Sequence, residues 1–238
     1  MPRLGVIGHL SRDIVADAPP RFGGGPWHAA RALRLIGEDA VLVAKSHEPA
    51  DLPALFVSDA ETTSFSFAYD ADGVRTMRVE SIGTPWRDDE IPPLDGVEWL
   101  QVAPLLRGDF DASLLAQLAR GRMLLLDGQG LARARETGPL RLDGAFDATV
   151  LEHVTMLKLA VEEAEAIGDV DVPELIVTDG TRGAWVNGTH VAADVVSRDP
   201  TGAGDAFAIA YLAARADGSE PVEAGRRATA VVAELLAQ

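Results

Sequence analysis

Asp199-Pro200-Thr201-Gly202-Ala203-Gly204-Asp205 runs directly into Ala206-Phe207-Ala208-Ile209-Ala210-Tyr211-Leu212. The second stretch reads as a plain helix and the first as a Gly-rich turn at its N-terminus, with Asp199-Pro200 closing a strand-like run. Small residues there let a ligand approach the backbone amides of the first helical turn. Those amides lack intrahelical partners and lie at the positive end of the helix dipole. The arrangement suits an anion, and a transferring phosphoryl group in particular. Asp205 falls in the same first turn, where the dipole is expected to keep its carboxylate ionised and able to accept the proton of an attacking hydroxyl. Taken alone, the stretch is better explained as a capped helix: Thr201 as N-cap, glycines for the turn, Asp205 facing the dipole. A Walker loop is excluded because no Lys-Ser/Thr follows the last glycine. A Rossmann fingerprint would follow the first strand, and this stretch lies near the C-terminus.

Working outward, strands alternate with helices. Strands are expected at 3–9, 40–45, 98–103, 122–127, 155–159 and 174–179. Helices are expected at 27–36, 111–120, 161–167, 203–216 and 220–236. Residues 183–191 read as a hairpin turning at Asn187-Gly188. Between Thr63 and Val79 the period changes to alternation, with Asp72-Gly73 as a hairpin turn. The pattern predicts an α/β fold: a doubly wound, mostly parallel sheet with helices on both faces, plus a small β flap, or lid. A length of 238 residues suits a single domain spanning 1–238, with flap strands from about 10–22 and 63–80.

The formal net charge of −16 repels nucleic acid and anionic membranes. The cations are scattered arginines, with Lys45 and Lys158 as the two lysines. The chain has no cysteine, which excludes disulfides and thiolate chemistry. No apolar run approaches a membrane span and no leader pattern is recognised, so a cytoplasmic protein is expected. His9, His28, His47, His153 and His190 lack metal-ligand spacing, and no zinc is expected.

Asp199-Pro-Thr-Gly-Ala-Gly-Asp-Ala-Phe207 resembles the C-terminal signature of the ribokinase-like (PfkB-type) carbohydrate kinases. Gly23-Gly24-Gly25-Pro26-Trp27-His28, leading into a helix that ends at Gly37, resembles their N-terminal signature. His28 stands where the family usually has a substrate-binding Asn. Gly8-x-x-x-x-Asp13 resembles the family segment whose Asp binds two substrate hydroxyls. Lys158-x-Ala160-x-x-Glu163 resembles its Lys-x-Asn-x-x-Glu segment, with Ala160 replacing the Asn. Thr178-x-Gly180-x-x-Gly183 resembles its nucleotide loop. Asp127-x-Gln129-Gly130-Leu131-x-Arg133 has a weaker likeness to the myo-inositol kinase branch.

The resemblance implies transfer of the ATP γ-phosphoryl to a hydroxyl of a sugar or polyol, inositols included. It implies Asp205 as base and Gly202, Ala203 and Gly204 as anion hole. Asp13, Gly24, Gly25 and His28 would contact the acceptor, and Thr178, Gly180 and Gly183 the nucleotide. Glu163 would help hold Mg²⁺ through water, and a monovalent ion is a further candidate cofactor. Arg75, in the flap hairpin, is within reach of substrate or is a solvated strand residue. A nucleoside kinase, or a non-catalytic binding protein on the same fold, are the alternatives. Partners are expected to be small molecules, with no nucleic acid and no membrane. A homodimer through the flap is the quaternary candidate, with Phe65 and Phe67 as its face or as packing on the domain.

Overall fold

The computed structural model describes residues 3–15, 18–69, 75–193 and 201–237. In chain order the elements are β1 (Leu4–His9), β2 (Ser11–Val15), β3 (Arg21–Gly23), α1 (Gly25–Ile36), β4 (Ala40–Ser46), β5 (Leu55–Ser58), β6 (Thr63–Tyr69), β7 (Arg75–Ser81), β8 (Trp99–Ala103), α2 (Ala112–Leu118), β9 (Met123–Asp127), α3 (Gln129–Ala132), β10 (Gly138–Pro139), β11 (Met156–Ala160), α4 (Val161–Ile167), β12 (Glu174–Thr178), β13 (Ala184–Val186), β14 (Thr189–Val191), α5 (Ala203–Ala216) and α6 (Pro221–Ala237).

Nine strands form the main sheet in the order β14-β13-β12-β11-β9-β8-β1-β4-β5. From β12 to β5 every pairing is parallel, and β13 and β14 add an antiparallel edge. Parallel strands must be covered on both faces, which is why β1, β8, β9 and β11 read as almost unbroken apolar runs. Side-chain alternation sorts them. Leu4, Val6, Leu125 and Met156 pack with α1, α5 and α6. Ile7, Val102, Leu124, Leu126 and Leu157 pack with α2 and Leu131 on the other face. The Tyr211 hydroxyl of α5 donates to Glu174 at 2.5 Å, and Arg215 Nε donates to the same carboxylate at 3.1 Å. Two donors on one acceptor, one of them the buried Tyr211 hydroxyl, tie α5 to β12.

A second sheet has the order β10-β7-β6-β2-β3. Residues expected as flap strands therefore do form a separate sheet, and β10 is an addition that a two-residue Gly-Pro segment could not announce. The expected turn at Asp72-Gly73, the Arg75 side chain and the Asp199-Pro200 strand end lie outside the described residues. Phe65 and Phe67 are buried against Val79, Leu105 and Leu106, so the alternating aromatics pack inward rather than forming an exposed face. Leu10 alone separates β1 from β2; it is fully buried, and its N–H donates to the Lys45 carbonyl at 3.0 Å. The central strand of the main sheet thus runs straight into the lid.

Candidate active site

The carboxyl ends of β9, β11 and β12, the N-terminus of α5 and the inner face of the lid enclose a cleft of about 610 Å³. Open α/β sheets place ligands at this edge. Ser11, Asp13, Gly24, His28, Phe65 and Met77 line one end. Thr178, Gly180, Gly183 and the α6 residues Thr229, Val232 and Leu236 line the other, and Gly202–Asp205 lie on the same wall system.

Local geometry at α5 separates the two readings of the Gly-rich turn. Gly202, not Thr201, holds the N-cap position, and among the described residues no side chain caps it. The first-turn amides are therefore left for a ligand. Gly202 has φ +81°, and a Cβ there would come within 2.0 Å of His28 Nδ1. Only glycine fits both the left-handed backbone and the approach of the imidazole.

Asp205 is half-buried, but its Oδ1 is fully buried and has no hydrogen-bond partner among the described residues. Burial, and next the Asp127 carboxylate, push its carboxyl up to about 7, against the pull of Lys158 and Arg133. The expectation that the dipole keeps Asp205 ionised is thus corrected. Desolvation is the largest cause, and sequence alone cannot show it.

Asp13 sits on β2, opposite Phe65 of β6 and Arg21 of β3, and accepts from Ser11 Oγ at 2.9 Å. His28, in the first turns of α1, is buried beside Gly202. Gly24, with φ +88°, lets the loop pass the His9 carbonyl, which a Cβ would approach to 2.3 Å. Gly25 does not line the cleft: a Cβ there would come to 2.2 Å from that of Ala103, so this glycine sets α1 against β8.

Thr178 lines the cleft while its hydroxyl donates to the Leu159 carbonyl at 3.2 Å. Gly183 also serves packing, since a Cβ would come within 2.0 Å of the Val191 carbonyl oxygen. Arg182 is exposed and forks onto Asp179, with both bonds at 2.7 Å. Glu163 is buried with both oxygens engaged: one accepts from the Ala160 N–H at 2.9 Å, and the other faces Arg133 at 3.4 Å. A metal ion near Glu163 would have to be met through water. Among the described residues no three His, Asp or Glu side chains cluster to hold a metal.

Two further residues line the cleft, Asp127, which the sequence offers as a ligand position at a strand end or as a turn aspartate, and Lys158. Asp127 and Lys158 are in-register neighbours on β9 and β11, both buried, with Lys158 Nζ 2.9 Å from Asp127 Oδ2. The Gln129 N–H donates to the other Asp127 oxygen at 3.3 Å. The signal available in the sequence was one charged residue in each of two otherwise apolar strands, Asp127 at the end of β9 and Lys158 in the middle of β11.

Three solved structures place this architecture. A pyrophosphate-dependent kinase in the ribokinase family, in a sulfate complex, matches with a TM-score of 0.84 at 22% identity, over 99% of this chain and 95% of that one. A Burkholderia thailandensis nucleoside kinase in complex with inosine matches with a TM-score of 0.72 at 19% identity, over 99% and 91%. A Thermotoga maritima ribokinase matches with a TM-score of 0.68 at 16% identity, over 98% and 92%. These matches show that the chain has the ribokinase-like fold. Residues 148–238 match the model of the pfkB family carbohydrate kinases.

Proposed function

We propose that the protein transfers the γ-phosphoryl of ATP to a hydroxyl of a small polyol. The observation that carries this is the Asp205 carboxylate, its Oδ1 buried and without a hydrogen-bond partner among the described residues, at the foot of an uncapped helix N-terminus in the same cleft as Asp13 and His28. Asp13 would accept from acceptor hydroxyls, as a carboxylate can from a diol. Asp205 would take the proton of the attacked hydroxyl as its oxygen bonds phosphorus. The donor's bridging P–O bond breaks, and the leaving group departs with the electron pair. The amides of Gly202, Ala203 and Gly204 would face the charge on the phosphoryl oxygens. Mg²⁺ would neutralise the donor phosphates, with Glu163 the candidate to hold it through water. The lid, packed on the body through Phe65, would exclude water from the reaction. The apolar face of α6 at the other end of the cleft supports a nucleotide donor.

Inositols are the favoured acceptors. The Asp127–Arg133 segment supports this, as does a neighbouring pyrophosphate-dependent kinase complexed with a pyrophosphate analog and myo-inositol, at a TM-score of 0.82 and 22% identity. The same neighbours motivate a second reading, with pyrophosphate as donor. Its specific support is Lys158 and Arg133, two fixed cations lining the cleft.

The test is a matrix of ATP and pyrophosphate against myo-inositol, ribose, fructose and inosine, each with Mg²⁺. Phosphotransfer with ATP that Asp205→Asn abolishes is expected. Turnover only with pyrophosphate would select the second reading. Undiminished activity in Asp205→Asn would remove the proposed base.

A further inference from the structure

The lid returns to the body after β7 through Gly83-Thr84-Pro85-Trp86, which forms no helix or strand. Backbone groups without such structure find their partners elsewhere. Here three consecutive carbonyls accept from three basic side chains. Arg135 Nη2 donates to the Gly83 carbonyl, His9 Nε2 to the Thr84 carbonyl at 2.9 Å, and Lys45 Nζ to the Pro85 carbonyl at 2.8 Å. A carbonyl only accepts, so Nε2 of His9 carries a proton. Thr84 and Pro85 are exposed, and water could serve them. Instead His9 and Lys45 do, at 2% and 0% exposure. Burying Lys45 is costly unless its charge is paired, and Glu90 at 2.6 Å pairs it.

We propose that His9 is a positioning residue for Asp13: it ties the chain that enters the lid to the chain that leaves it. The inference rests on the acceptor role given to Asp13 above. His9 does not line the cleft, so it acts through others. It ends β1, and Leu10 alone separates it from β2, the strand that carries Asp13. His9 and Lys45 are in-register neighbours on β1 and β4, and the Leu10 N–H donates to the Lys45 carbonyl at 3.0 Å. Entry and exit of the lid are thus held by the same two residues. Asp109 closes the set. Its side chain accepts from Arg135 Nη1 and from the Leu105 and Leu106 N–H groups at 2.7 and 2.9 Å, with His9 Nδ1 3.4 Å away. Leu105 and Leu106 are the residues on which Phe65 of the lid packs. The Trp86 ring, stacked on Phe110 at 5.7 Å, meets the imidazole edge-on at 5.8 Å and fixes its orientation. Charged donors make bonds about twice as strong as neutral ones, so Arg135 and Lys45 stiffen the exit on either side of the His9 contact.

His9→Phe keeps a ring against Trp86 but removes the donor to Thr84, and His9→Gln keeps an N–H donor. Arg135→Met, at a partly exposed side chain, loosens the exit without emptying the core. With the acceptors named above, His9→Phe and Arg135→Met should each raise the acceptor KM by about tenfold, within the roughly 10²-fold that a 1 Å misplacement can cost. The donor KM and kcat should change little, and His9→Gln should recover most of the loss. General destabilisation would not move one KM and spare the other. Folded His9→Phe and Arg135→Met proteins with the wild-type acceptor KM overturn the proposal. Hydrogen exchange reads the same coupling without substrate. In Arg135→Met, the amides of residues 10–13 should exchange about tenfold faster along with those of residues 83–86, a joint loss of local protection. Acceleration confined to residues 83–86 overturns the proposal. If the wild type turns over no acceptor, the phosphotransfer reading falls, and the exchange result alone decides whether His9 couples the two crossings.

Discussion

Asp205 carries opposite consequences for activity and stability. Its carboxyl is pushed up to about 7 by burial and by Asp127. As a base it must be deprotonated, so kcat/KM is expected to rise with pH through about 7 and then level off. Linkage runs the other way. The folded protein holds this proton more tightly than the unfolded chain, so the folded state binds more protons between the ordinary value of 3.8 and about 7. Within that window the group makes stability fall as pH rises. Asp205→Asn should therefore lower kcat by about 10²- to 10⁴-fold while raising the melting temperature at pH 8 more than at pH 5. Equal thermal shifts at both pH values would mean that the carboxyl is not perturbed in the folded protein.

At the scale of elements the lid is the part most exposed to test. Phe65 is 2% exposed and joins β6 to Leu105 and Leu106 of the body. Arg135 reinforces the join by donating to the Gly83 carbonyl, just after β7, and to Asp109. Phe65→Ala should cost about 3 kcal/mol, the low end for removing a buried phenyl group. It should also raise the acceptor KM more than the donor KM, because Asp13 sits on β2, the strand beside β6 in the lid sheet. Limited proteolysis of the lid should accelerate. Unchanged acceptor KM and unchanged cleavage would show that the lid does not depend on this contact. Elements differed in how readable they were. The helix at 203–216 was legible because a Gly-rich turn fixes its start and an apolar run its length. The strand Leu55–Ser58 was not, because it is an exposed edge, with Leu55 51% and Phe56 37% accessible, and lacks a core-facing pattern. Among site residues, Asp205, Gly202 and Asp13 were legible from local motifs. The Lys158–Asp127 pair was not, because register between strands 31 residues apart creates it.

For the whole molecule, the formal net charge of −16 opposes every anionic donor. That field is long-ranged and screened by salt, whereas contacts inside the cleft are shielded much less. Raising ionic strength from about 0.01 to 0.1 M, with Mg²⁺ held constant, should speed donor association about two- to threefold. A fall would mean that the local field of Lys158 and Arg133 reaches beyond the cleft mouth. The direct passage from β1 through Leu10 into β2 bears on how such a chain can change over evolutionary time. Loops elsewhere can lengthen or shrink without disturbing what they connect. One residue inserted at Leu10 would slip either the central strand or the strand that carries Asp13, turning its side chains to the wrong face. The lid is therefore not a cassette that can be exchanged whole. New acceptor preferences would have to come from substitutions within it, with the junction left at its present length.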